Sequence, residues 1–346
     1  MSTVKAEKIS TPIQFATCIG LDVRVWLMNT RTPRILNVFD RAINLINEHG
    51  DIMSLVSIEI GNGPFNMVIS PQAAGLIFNQ IDSRSSISIC WPKLNIGHVS
   101  IDFHQANLWN AKPDWARLIP FRQLMVSNLL LRSEWLVSQA HPDSLLSLTS
   151  NMALIPGRET ENYTDLRENS ALENIRSTTI IGEWMRPLFE AVHSIDLDSC
   201  RQAAQSVAGL GLGLTPAGDD FLLGAMHAAW IIHPEEKSEV ITSTLATSAI
   251  PLTTSLSGAW LQAAARGLVN QPWMDFLETW IIDGQASIES SLRRLLSIGN
   301  TSGADSLAGF IGCLVHGMAS LALKIKPTNQ NEYRIKDRIL AVPLWD

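Results

Sequence analysis

The chain has 346 residues, 46% of them hydrophobic, with 26 basic and 33 acidic side chains that leave a formal net charge of -7. That length suits two domains with sizeable cores, and the sign argues against a surface built to hold nucleic acid by its phosphates or to dock on anionic membrane. Charged residues make up only 17%, against about 25% in an ordinary soluble protein, so surface is expected to be covered by partners or by further copies of the chain.

The first third reads as β-rich. Short apolar runs at Ile19–Leu27, Leu55–Ile60, Asn66–Ile69 and Ser86–Cys90 are broken by turn signals such as Gly61-Asn-Gly-Pro64 and Asn95-Ile-Gly97. Two short helices are predicted among them, at Phe39–Glu48 and Pro71–Gln80. The character changes around Trp109–Trp115, and patterns of period near 3.6 follow at Phe121–Ala140, Thr178–Ser194, Asp198–Ala208, Phe221–Ile232, Ser238–Thr247 and Leu256–Leu268. Asn151–Asn169 and Pro327–Asp337 are polar and unpatterned, and read as loops. The expected fold class is α+β, with a β-rich domain over 1–117 and a mostly helical domain over 118–346.

Cys18, Cys90, Cys200 and Cys313 lie far apart with no metal-ligand spacing, as in a cytosolic protein with reduced, mostly buried thiols. The polar start, Met1 to Lys8, shows no secretory segment. Leu307–Leu323 is apolar enough to invite a membrane reading, but its glycines and alanines suit close helix packing inside a globule. A cytoplasmic protein is expected.

The chemistry signal is Gly209-Leu-Gly-Leu-Gly-Leu-Thr-Pro-Ala-Gly-Asp-Asp220, followed by Phe221-Leu-Leu-Gly224. Glycines at 209, 211 and 213 let the backbone turn with positive φ and approach a ligand. Thr215-Pro216 supplies a helix cap followed by a proline suited to the first turn. A helix start beside such a turn suits phosphate or carboxylate. It lacks the Gly-Lys of a Walker loop and the third glycine of a dinucleotide fingerprint. The plainer alternative is that Thr215 caps the helix while Asp219 and Asp220 complement its dipole.

A second string, Gly299-Asn-Thr-Ser-Gly-Ala-Asp-Ser-Leu-Ala-Gly309, has the same grammar: Thr215 to Asp219 and Thr301 to Asp305 are both four apart. Shifted by one, Asp220 to Gly224 matches Asp305 to Gly309. Two such starts aimed at one centre would bring together Gly211, Gly213, Thr215, Gly218, Thr301, Ser302 and Gly303 as binding groups, with Asp219, Asp220 and Asp305 as candidate catalytic carboxylates. Paired carboxylates can hold Mg²⁺ against a phosphate or act as a base; the alternative is a pseudo-repeat of helix packing. Ser257, in the hydroxyl cluster Thr253-Thr-Ser-Leu-Ser257, and Arg266 are further binding candidates. Arg266 also reads as a plain C-terminal helix charge beside Gly267. His227 and His316 follow the aspartates on the same helical faces and read as core residues.

The string from Gly213 to Gly224, with Thr254-Ser-Leu-Ser257 and Gly299–Gly309, resembles a bacterial family that includes the AllH-type subunit of oxamate carbamoyltransferase. Asn37-Val-Phe-Asp-Arg-Ala-Ile-Asn-Leu45 and Glu59-Ile-Gly-Asn-Gly-Pro64 also fall where that family has like strings, so the resemblance spans about residues 18 to 320. It implies a complex with FdrA-like and other subunits, beside a carbamate kinase, in allantoin breakdown. The implied reaction is oxalurate plus phosphate giving oxamate plus carbamoyl phosphate. Leu212 stands where the family commonly has proline, and Ala217 where it often has serine, which removes a hydroxyl and leaves the backbone turn intact. Two other readings stay open: a non-catalytic ligand-binding or assembly subunit, and a metal-dependent hydrolase.

Overall fold

The computed structural model describes residues 13–70, 78–149, 171–281 and 285–324. Pro71–Gln80 falls mostly outside them, and the loops Asn151–Asn169 and Pro327–Asp337 fall wholly outside. Among the described residues the fold is α+β, as the two periodicities imply.

Among the described residues nine strands form one sheet in the order β2-β3-β4-β5-β1-β8-β7-β6, with β9 also paired to β1. Here β1 is Ile13–Gly20, β2 Arg34–Val38, β3 Ala42–Ile46, β4 Ile52–Val56, β5 Asn66–Ile69, β6 Ile87–Cys90, β7 Lys93–Ile96, β8 Val99–Asp102 and β9 Asn107–Trp109. The central strand β1 runs antiparallel to β5. On its other side it pairs in parallel with β8 through Ile13–Phe15 and with β9 through Cys18–Gly20. Ile43, Leu45, Met53, Leu55, Met67 and Ile69 form the centre of its core, joined by Val23, Trp26 and Leu27 of α1 (Leu21–Asn29).

Two local expectations are corrected. Ile19–Leu27 is strand only to Gly20 and then helix, because Val23, Trp26 and Leu27 bury at helical spacing while Asp22 and Arg24 between them mimic strand alternation. Phe39–Glu48 contains β3, not a helix. Ile43, Asn44, Leu45 and Ile46 are all buried, so the alternation of a half-exposed strand is absent. Asn44 is kept inside by accepting a hydrogen bond from Ser54 of β4 at 2.6 Å.

After β9 the described chain is helical. Its helices are α2 (Trp115–Leu118), α3 (Arg122–Leu131), α4 (Ser133–Gln139), α5 (Leu145–Thr149), α6 (Ala171–Ser194), α7 (Leu197–Val207), α8 (Ala217–Ile232), α9 (Glu235–Ala249), α10 (Ser255–Ala265), α11 (Gln271–Glu278), α12 (Gln285–Leu296) and α13 (Ser302–Lys324). The single pattern read over Phe121–Ala140 is split at Arg132 into α3 and α4. Helix α8 is buried on nearly every side, which its almost wholly apolar sequence requires. No described helix is long and apolar enough to cross a membrane. Cys200 and Cys313 are buried in this core, Cys18 is half-buried and Cys90 is exposed, all as free thiols.

Helices α8 and α13 cross where Gly224 meets Gly309. A Cβ on Gly224 would stand 1.7 Å from the Ser306 carbonyl oxygen, and one on Gly309 would stand 2.0 Å from that of Phe221. The sheet and the helices join along a small apolar seam: Ile46, Ile52 and Phe65 meet Ala263, and Trp260 packs on Phe65 with ring centroids 4.3 Å apart. The Gln271 amide donates to the Asn62 carbonyl, and the Asn62 side chain to that of Gln271, both at 2.8 Å.

Candidate functional site

The glycine-rich turn is built as three left-handed corners, Gly209 (φ 71°), Gly211 (φ 114°) and Gly213 (φ 97°). Helix α8 then begins at Ala217, with Pro216 in the cap position and no side-chain cap. Thr215 is therefore not the cap. Its hydroxyl instead shares a hydrogen bond with that of Ser302, at the start of α13, at 2.9 Å. The glycine-rich turn and its echo thus touch.

Their structural register is an offset of 85: Gly218, Asp220 and Gly224 correspond to Gly303, Asp305 and Gly309. A Cβ on Gly218 would lie 1.9 Å from the Val207 carbonyl oxygen at the end of α7, and one on Gly303 would lie 1.8 Å from that of Leu295 near the end of α12. Each unit is a helix, a turn and a second helix pressed back on the first. The Thr-to-Asp spacing, which needs an offset of 86, is a coincidence beside this match. The Gly218 amide donates to Leu210 and the Gly303 amide to Ile298. Both glycines therefore serve packing, and those two amides are already engaged.

The three aspartates differ. Asp219 is 2% exposed. It accepts from the Gly209 amide at 2.9 Å and from the Thr253 hydroxyl, and so ties the turn to the segment before α10. Burial raises its pKa, against the hydrogen bonds of Thr253, Gly209 and Ser257. Asp305 is 1% exposed and accepts from the Leu145 amide at 2.7 Å, while its Oδ2 has no partner. Burial pushes it up to about 7, against the Leu145 and Thr301 hydrogen bonds. Asp220 has one carboxylate oxygen sealed from solvent and unpartnered. Burial, and then the neighbouring Asp305 charge, hold its pKa well above the usual carboxylate range, with Ser302 and Thr215 opposing. Asp220 thus resists ionisation more strongly than an ordinary carboxyl.

Thr215, Asp220, Ser302 and His227 line one cavity of about 910 Å³ between the sheet and the helices. Asp220, Leu223 and His227 reach it from one face of α8. Phe39, Asp40 and Arg41 of the β2–β3 turn, with Glu59 and Asn66, close it from the sheet side; Trp260, Trp273 and Arg294 complete the helical wall. The Arg294 guanidinium also pairs with Asp275. Oxygen donors of the kind Mg²⁺ takes are present in Asp220 and the two hydroxyls. No group of three His, Cys, Asp or Glu side chains close enough to hold a metal ion occurs among the described residues.

Other expected site residues lie elsewhere. Gly211 and Gly213 shape the turn and do not line this cavity, nor do Thr301 and Ser257; Ser257 sits beside Asp219 in the first turn of α10. Arg266 forms a two-pronged pair with Asp22 at 3.0 and 2.5 Å, bridging α1 to the end of α10. It lines a second cavity of about 500 Å³ with Thr253, Thr254 and Trp26. Arg41, Arg294, Trp260 and Trp273 were not singled out by sequence. Phe39 to Ala42 and Glu59-Ile60 do fall inside the two N-terminal strings that carried the family resemblance, which is the signal that pointed to them.

Residues 207–314 match the family model of the oxamate carbamoyltransferase subunit AllH, and residues 18–108 match the AllH family N-terminal domain. The chain belongs to the AllH family. The two matched segments cover more than half of the chain and contribute both walls of the cavity. The AllH match begins at the last residue of α7 and so takes in both turns, all of α8 and the first part of α13, including the crossing at Gly309. No solved structure matches the chain.

His227 provides a check on this geometry. It is 1% exposed, its Nδ1 has no partner, and its ring packs edge-on against Trp273 at 4.9 Å. Burial lowers its pKa to about 3, so the folded protein holds it neutral while the unfolded chain protonates below about pH 6.5. Its contribution to stability is full above that value and is lost as pH falls towards about 3. Denaturant unfolding of wild type and His227→Gln at pH 7.5 and pH 5 is expected to show the difference moving by about 2 kcal/mol in the variant's favour at the lower pH.

Proposed function

We propose that this chain is the catalytic subunit of a carbamoyltransferase and that its interdomain cavity binds an anionic ureide together with phosphate. The observation that carries the reading is Asp220: a carboxyl with one oxygen sealed and unpartnered, beside two hydroxyls, in a cavity that also offers Arg41 and Arg294. Oxalurate is the substrate the family description points towards, and further subunits of the complex are the expected partners. A phosphate oxygen attacks the ureido carbonyl carbon, and the bond from that carbon to the oxamate nitrogen breaks. The leaving nitrogen needs a proton, which Asp220 supplies. The hydrogen phosphate proton restores the Asp220 acid, so the step releases and consumes no net proton.

Of Thr215 and Ser302, one hydroxyl donates to the other, and the second hydroxyl proton is the one that would donate to phosphate or to the oxyanion that forms as the carbonyl is attacked. The arginines offset the negative charge of both substrates. Trp260 and Trp273 provide flat apolar walls that suit a planar ureide and limit water. Asp219 serves as a tie that holds the turn carrying Thr215.

The test is carbamoyl phosphate formation from oxalurate and phosphate, by the chain alone and with its partner subunits. Ser302→Ala in the assembled enzyme is expected to lower kcat/KM about tenfold, the loss of one hydrogen bond worth about 1.4 kcal/mol. Unchanged kinetics would move the site to another subunit and leave this chain as a binding or assembly subunit.

A further inference from the structure

We infer that Asp305 is a positioning residue that acts through Asp220: a carboxylate fixed behind the cavity that makes Asp220 the proton-bearing member of the pair. The inference rests on the general-acid reading of Asp220 given above.

The two aspartates hold equivalent places, two residues after Gly218 and Gly303 and four before Gly224 and Gly309. Those glycines let α8 and α13 meet backbone to backbone, and the Thr215–Ser302 hydrogen bond closes the starts of the two helices on each other. Two carboxyls, Asp305 buried and Asp220 half-buried with one oxygen sealed, are thereby brought into each other's field, and both cannot ionise at ordinary cost. Equivalence of place is not matched by equivalence of partners. Asp305 has the Leu145 amide at 2.7 Å, delivered by the start of α5, and lies outside the cavity lining. A backbone N–H favours the charged form of a carboxyl. Among the described residues Asp220 has no amide donor, only the Thr215 and Ser302 hydroxyls, and it faces the cavity. The charge therefore settles on Asp305 and the proton on Asp220.

Other groups facing Asp220 do not reverse this order. Asp219, on the same helix, adds a weaker push in the same direction. His227 is neutral. Arg41 and Arg294 line the same cavity together with the acidic Asp40 and Glu59, which oppose them, and Arg294 is already paired with Asp275. The duplicated helix–turn–helix units thus yield a site with divided roles, one carboxyl meeting substrate and its counterpart setting the state of the first.

Asp305→Asn keeps an oxygen for the Leu145 amide and removes the charge. In the assembled enzyme, kcat/KM for oxalurate falls on the alkaline side as Asp220 loses its proton, and Asp305→Asn is expected to shift that fall to lower pH by about one unit or more. Asp305→Glu, which restores the charge, is expected to return it towards wild type. Independently of turnover, ¹³C-aspartate NMR of the full chain, with the Asp220 resonance assigned by its loss in Asp220→Asn, should show the Asp220 midpoint lowered by the same amount in Asp305→Asn. An unmoved midpoint overturns the pairing. A moved midpoint with an unmoved rate profile upholds the pairing and overturns the general-acid role instead.

Discussion

Asp220→Asn is expected to fold normally, to assemble with its partners and to lose about 10²–10⁴-fold in kcat, the usual worth of a positioned general acid. Asparagine has the same size and can still meet the Thr215 and Ser302 hydroxyls, but it cannot pass a proton to a leaving nitrogen. The substitution also removes a half-buried group, with one oxygen sealed from solvent, that resists ionisation. Its folded pKa lies above that of the unfolded chain, so at pH 8 the unfolded state gains from ionising and wild-type stability is reduced. The variant should therefore unfold at a higher temperature than wild type at pH 8, with the advantage shrinking as pH falls and gone below about 4, where the unfolded carboxyl is protonated too. A stabilised, correctly assembled and inactive protein is the signature of a group kept for chemistry. Thermal unfolding and turnover on one preparation check both halves.

Gly224→Ala is expected to act in the opposite way, on the fold. Glycine inside a helix ordinarily costs about 1 kcal/mol relative to alanine, so on propensity alone the change should stabilise α8. The Ser306 carbonyl oxygen, 1.7 Å from the new Cβ, forbids that. The obstruction is main chain on α13 and cannot swing aside like a flexible side chain. The helices must separate, which loosens contacts along the crossing and moves Asp220 away from Asp305. A net loss of about 3 kcal/mol is expected, a fall of about 6–12 °C in a chain of this size, together with lost activity. Gly213→Ala is the control. No atom lies within 4 Å of its Cβ, so only the φ of 97° is strained, and a loss of about 1 kcal/mol follows. Thermal unfolding of the two variants side by side should separate them clearly.

The large divisions of this fold are legible in the sequence because they rest on periodicity. The 3.6-residue pattern marks α6 to α10, and Asn66–Ile69 is recovered as β5. What fails is local and has a cause. In β3 both faces are covered, so Ala42–Ile46 loses the alternation that identifies a strand. In α1 the charged residues Asp22 and Arg24 interrupt the apolar run every second position. The candidate site is half legible. Both glycine turns stand out by composition, and their contact through Thr215 and Ser302 follows from the likeness of the two strings. The division among the aspartates does not, because Leu145, the partner of Asp305, lies 160 positions away. Arg294 sits in the last turn of α12, where a basic residue has an ordinary helical reason to be. Nothing in one sequence marks it as facing a cavity.

Where the two substrates meet decides whether this chain is the catalytic subunit. A structure of the assembled enzyme with oxamate and phosphate bound answers this most directly. Both ligands are expected in the cavity between the sheet and the helices, with the oxamate amide nitrogen within hydrogen-bond distance of Asp220 and a phosphate oxygen on Thr215 or Ser302. Ligands bound on a partner subunit, with this cavity unoccupied and Asp220 remote from either molecule, would contradict it.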